Sequence, residues 1–137
     1  MSRTPASYVM PVVRGSTWED EFTYTDANGA AVDLSGYKAR MQVRDLAQEY
    51  GTTGTPLLEL TTDNNLLVID TPPGGTVRNR TRIVVPPTAH AVLNPTNARK
   101  AKYAYAIELY VPAVGVTPEY VIPLVRGKVV VQGEVTR

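Results

Sequence analysis

Polar and apolar residues take turns along much of this chain. In YKARMQVRD, Tyr37, Ala39, Met41 and Val43 occupy every second position, with Lys38, Arg40, Gln42 and Arg44 between them. A period of two marks a strand, because successive side chains leave a strand on opposite faces; a helix would spread this pattern around its circumference. TWEDEFTYT reads the same way, with Trp18, Phe22 and Tyr24 on one face and Asp20 the exception among them. In YAYAIELYV, the residues Tyr103, Tyr105, Ile107, Leu109 and Val111 share a face, and Glu108 and Tyr110 lie opposite. The runs PLLELTT, NLLVID and TRIVVP predict further short strands. EYVIPLVRGKVVVQGEVTR predicts one or two closing strands broken near Arg126 and Gly127, with Pro123 marking an edge or a bulge.

The breaks between these runs carry turn chemistry. Asn28-Gly29 is a hairpin signal, because both residue types accept positive φ at low cost. Ser35-Gly36 predicts a second turn, and AVDL between the two is a short strand or bridge. TDNN separates two strands, TPPGGT can continue neither helix nor ladder, and PAVGVTP is a turn. PPTAHAVLNP is the one helical stretch, roughly two turns long, with prolines at its start and Asn94-Pro95 as its stop. NARKAK reads as a polar loop. About eight short strands with frequent turns predict an all-β fold: an antiparallel β-sandwich of immunoglobulin-like or jelly-roll-like character with one short helix. Residues 15–137 form a single domain on this reading, and residues 1–14 are an N-terminal arm or a first strand.

Composition narrows the picture. A chain of 137 residues suits one domain that needs no covalent staple. It has no cysteine, which excludes disulfides, thiolate metal sites and a cysteine nucleophile together. With 14 Lys and Arg against 13 Asp and Glu, it lacks the basic surplus of a nucleic-acid binder, so a nucleic-acid partner is not expected. The first residues lack the apolar core of a signal peptide, and no run approaches the about 20 apolar residues of a membrane span. Folding in the cytosol and no membrane partner are the expectations.

Candidate chemistry is sparse. His90, the single histidine, reads as a helix-face residue without a catalytic role, since no nucleophile elbow accompanies it. Asp26, Asn28 and Asp33 open like a calcium loop but lack its later ligands, so a hairpin turn is the simpler reading. Glu19, Asp20 and Glu21 are consecutive on a strand and therefore alternate faces, unlike the converging pair of a glycosidase. GTTGTP and TPPGGT lack the Lys-Ser/Thr of a phosphate loop. Arg78, Arg80 and Arg82 share a face by period two, and Arg99, Lys100 and Lys102 form a second basic cluster. Without interleaved exposed aromatics, both read as solvated or protein-contacting faces. No catalytic residue, metal site or cofactor is expected.

One resemblance adds to this. RGSTWEDEFTYTDANGAAVDLSGYKARMQVRD, then LLELTTDNNLLVID, a proline-led helix, KYAYAIELYV and a closing RGKVVVQGEVTR follow an order similar to small virion proteins of tailed phages. The plan resembles the N-terminal domain of phage baseplate upper proteins, with DLSGY and GEVTR its most telling pieces, and it runs from residue 13 to residue 137. Those proteins continue into a stalk and receptor-binding extension that has no counterpart in this sequence. The resemblance implies a β-sandwich without enzymatic activity, assembled in the host cytoplasm into the virion. Its partners would be other virion proteins, in a homo-oligomer or symmetric ring at the tail, baseplate or neck. Trp18 and Tyr37 would be large core pieces of that module. Capsid decoration, fibre anchoring and a carbohydrate-binding module are the alternatives.

Overall fold

The computed structural model describes residues 6–46 and 56–134. Its elements are β1 (Ala6–Ser7), β2 (Met10–Val13), β3 (Trp18–Thr23), β4 (Lys38–Arg44), β5 (Leu58–Thr61), β6 (Leu67–Asp70) and β7 (Arg80–Val85), then helix α1 (Pro87–His90), β8 (Lys100–Val111) and β9 (Tyr120–Gln132). Two sheets pack face to face as an all-β sandwich. The larger is six-stranded, in the order β1-β9-β8-β4-β5 with β2 also on β9, and the smaller is three-stranded, β3-β7-β6.

The alternation seen in the sequence becomes burial. On β4, Ala39, Met41 and Val43 are buried, and on β8 Tyr103, Tyr105, Ile107 and Leu109 face the same core. Val129 and Val131 of β9 join them, and Trp18, Leu67, Ile69 and Ile83 close the core from the smaller sheet. Fully burying a side chain of this size contributes about 1.5–3 kcal/mol, so this interleaved layer is the main stabilising term. Trp18 is buried as expected, while Tyr37 only packs against the rim of the core.

Several expectations need correction. The larger sheet is mixed rather than purely antiparallel. β1 and β2 are two pieces of one N-terminal edge that runs parallel to β9, Ala6 beside Val125 and Met10 beside Val129. Ala6–Ser7 and Met10–Val13 are therefore strand, with Tyr8 and Val9 between them, while the first five residues of the anticipated arm lie outside the described residues. β9 is one strand of 13 residues and does not break at Gly127. Its irregularity falls earlier: Ile107 pairs Val125 and Glu108 pairs Pro123, so Leu124 is the extra residue of a bulge beside the proline. NARKAK is not all loop, because Lys100 already pairs Gln132 and opens β8. The helix is a single turn of four residues. After it, Asn94 enters positive φ at 53°, and its side chain holds both the amide and the carbonyl of Ala98.

The turn at residues 26–30 also differs in mechanism. Only Gly29, at φ 81°, takes the left-handed conformation. Asn28 does not; its amide instead donates to the Asp26 carboxylate at 2.9 Å, and the Ala30 amide does the same at 3.0 Å. The aspartate side chain thus organises the loop, as Asx residues do when they cap their own turn. The TDNN turn carries the chain across from the larger sheet to the smaller one, since β5 pairs β4 and β6 pairs β7.

Candidate interaction surface

The polar residues fall on the two outer faces of the sandwich, and the ladders set who meets whom. On the smaller sheet, Asp70 sits opposite Arg80 in the β6–β7 ladder. Its carboxylate accepts from Arg80 Nε at 2.7 Å, Arg80 Nη2 at 3.1 Å and Arg82 Nε at 2.8 Å. Arg80 Nη1 reaches Glu21 at 3.0 Å. The Arg80 guanidinium is the main reason the Asp70 carboxyl is held below its ordinary range, opposed by partial burial and reinforced by Arg82. Arg78 lies ahead of the strand and spends Nε and Nη2 on the carbonyl of Ile69. The expected arginine stripe is therefore not an open cationic row: two members are neutralised and the third is a strut.

The candidate chemical groups do not converge. Asp33 Oδ1 accepts the amide and hydroxyl of Ser35, which lowers its pKa, while Asp26 is occupied by its own turn. Among the described residues, no three metal-ligating side chains come together. Glu19 and Glu21 point outward and are exposed, whereas Asp20 turns towards the open end of the core and interacts with Tyr8. That position accounts for the one acid on an otherwise apolar strand face. Tyr8 packs edge-on against Phe22 at 5.6 Å, and Asp20 raises the pKa of its phenol.

His90 is not on a free helix face. It is fully buried, with Nε2 2.6 Å from the carbonyl of Ser16 and its ring edge-to-face with Trp18 at 6.5 Å. It ties α1 to the loop before β3. Most of GTTGTP lies outside the described residues, and in TPPGGT the Gly75 amide closes a turn on Pro72 rather than lining a cradle.

The outer face of the larger sheet is different in character. Two small residues of β8, Ala104 and Ala106, form its floor. Across the ladders Ala104 stands between Arg44 and Lys128, and Ala106 between Gln42 and Arg126. A groove of about 130 Å³ opens here, bounded by Arg40, Gln42, Arg44 and Glu108. Arg40 is anchored: it pairs with Glu108, donates to Glu119 at 2.8 Å and lies 4.4 Å from the Tyr110 ring. Tyr110, expected on the solvent side, is on that side but half covered by this contact. Further along the same face, Lys100, Lys102, Arg126 and Lys128 are exposed, and none of their side chains has an ion pair or hydrogen bond among the described residues.

Apolar side chains border this cationic area. At the β2 edge, Val13 pairs with Gln132 in register and is 44% exposed, and Val9 is 56% exposed. At the far end, the β8–β9 hairpin turns through Gly115 at φ 56° and leaves Val114 and Val116 almost wholly in solvent. Sequence reading separated RKAK from RGK and treated the former as loop. The two become one surface because β8 and β9 pair in register, and only the alternation of Lys100 and Lys102 hinted at a strand.

No family model matches the sequence, and no curated protein matches it significantly. Among the described residues, no helix is long and apolar enough to cross a membrane.

Proposed function

We propose that this chain is a non-enzymatic structural protein of a tailed bacteriophage virion, a tail, baseplate or neck component that docks onto other virion proteins. The observation that carries the reading is the outer face of the larger sheet. It combines a small-residue floor, exposed cations without an ion pair among the described residues and exposed valines, the mixture of apolar contact and charged rim that protein interfaces use. The order of motifs from the RGSTW strand to the closing GEVTR supports the same assignment by resemblance. The protein would work as repeated copies inside the particle, assembled in the host cytoplasm.

Immunogold electron microscopy of virions of the encoding phage, with antibody to this chain, tests the reading. Label confined to the tail, baseplate or neck supports it. Label spread over the head replaces it with capsid decoration, and unlabelled virions overturn it.

A further inference from the structure

Both outer faces carry charges of both signs, paired within each face, but the exposed side chains left without an ion pair differ in sign. The whole sequence carries a net +1, yet Lys100, Lys102, Arg126 and Lys128 stand together on the outer face of the larger sheet with no ion pair among the described residues. The compensating acids lie elsewhere, most densely on β3, where Glu19 and Glu21 face outward from the smaller sheet. Glu19 is exposed and has no ion pair or hydrogen bond among the described residues; Glu21 meets Arg80 but keeps 60% of its side chain in solvent. β3 is also the edge strand of its sheet, so this acidic row is sterically open.

We propose that copies of this chain join through unlike faces, the outer face of the larger sheet of one copy receiving the β3 face of the next, with Arg126 and Lys128 opposite Glu19 and Glu21. Contact through two different surfaces is heterologous, so each bound copy leaves a free basic face at one end of the assembly and a free acidic face at the other. Alanines at 104 and 106 let the incoming side chains reach the sheet, with Lys128 and Arg126 their partners across the β8–β9 ladder. Exposed cations directly opposite exposed carboxylates speed encounter and fix register, and contact between two basic faces would set like charges against each other. The inference names a second copy as partner and rests on the virion reading only for the setting in which copies meet.

The test uses the full chain and two neutralising variants, Arg126→Gln with Lys128→Gln, and Glu19→Gln. These side chains are exposed and unpaired, and unchanged far-ultraviolet circular dichroism and melting temperature verify folding. In sedimentation velocity at low salt, the wild type should self-associate in a concentration-dependent manner that high salt reverses. Each variant should associate about tenfold more weakly or worse, which corresponds to about 1.4 kcal/mol. The deciding sample is the equimolar mixture of the two variants. One retains only the acidic face and the other only the basic face, so they should recover a one-to-one complex that grows no further.

A wild type that stays monomeric at every salt concentration overturns the proposal. So does an oligomer indifferent to both variants, or a mixture that recovers nothing. Self-association with unlabelled virions would sink the virion reading alone; labelled virions with a monomeric chain would sink this inference alone.

Discussion

The phenol of Tyr105 donates a 2.6 Å hydrogen bond to the main-chain carbonyl of Tyr8, 97 residues away in sequence. It is the clasp between β8 and the gap separating β1 from β2, where the N-terminal edge leaves the ladder. Replacing Tyr105 by Phe keeps the ring and removes the donor, leaving a carbonyl without its partner. The expected cost is about 1–2 kcal/mol in urea denaturation at neutral pH.

The same residue governs alkaline stability. Burial chiefly, then the Asp20 carboxylate and Tyr8, raise the Tyr105 pKa far above the ordinary 10.0. Above that value the unfolded chain loses the phenolic proton while the folded chain keeps it. Stability is therefore complete below pH 10 and declines as pH rises past it. In Tyr105→Phe the decline should be visibly shallower; equal slopes in the two proteins would argue against this origin.

Gly127 makes the clasp possible. A Cβ at this position would lie 2.2 Å from the Tyr8 carbonyl oxygen, and that atom is backbone with little freedom to withdraw. Gly127→Ala should cost about 1–3 kcal/mol by overpacking. Hydrogen exchange should locate the damage, with faster exchange at the Tyr8 amide, which donates to the Arg126 carbonyl, and along β2. Unchanged protection there would show that the edge accommodates the methyl group.

Acid should act through Asp70. Its pKa is lowered by Arg80 first, so its contribution is present above the unfolded value of 3.8 and is lost as pH falls through the lower folded value. With 27% of the Asp70 side chain still exposed, solvent screening limits the effect, and Asp70→Asn should destabilise by about 1 kcal/mol at pH 7. Below the folded-state pKa the variant and wild type should converge in stability, which denaturation across an acid pH series would reveal.

His90→Ala should be a stability variant. Removing a fully buried ring opens a cavity against Trp18 and deprives the Ser16 carbonyl of its partner, at about 2–4 kcal/mol. A drop in melting temperature of several degrees is the measurable sign.

Strand faces were legible wherever one side met the core and the other met water. Ala39, Met41 and Val43 could be assigned from alternation alone, as could Tyr105, Ile107 and Leu109. Pairing was not legible, because alternation says which side of a strand is buried and nothing about its neighbour. Thus Leu58 and Leu67 were read as neighbouring strands with no sign that the turn between them changes sheets. Lys100 and Lys102 looked like loop, since the ladder that makes them strand is supplied by Val130 and Gln132 some thirty residues later. The helix around His90 was legible, but its burial against Trp18 was not. A single helical turn has too few positions for a periodic pattern to show which face is inward. The candidate surface was hidden for the same reason as the pairing: Arg126 and Lys128 join Lys100 and Lys102 only through the register of the long hairpin.

The parallel seam between β2 and β9 also imposes an order on folding. Among the described residues, Met10 through Val13 have no ladder partner other than Val129 through Gln132, so this edge can form only after residues 129–132 have been synthesised. Closing so long a loop is entropically slow, and seams of this kind put a protein among the slower folders of its size. Until β9 arrives, Met10 and Val12 lack the strand that holds them in the sheet and much of the core that buries them. The newborn chain thus carries β2 with its apolar edge unpaired while the next hundred or so residues are made, and β9 is what withdraws that edge from water.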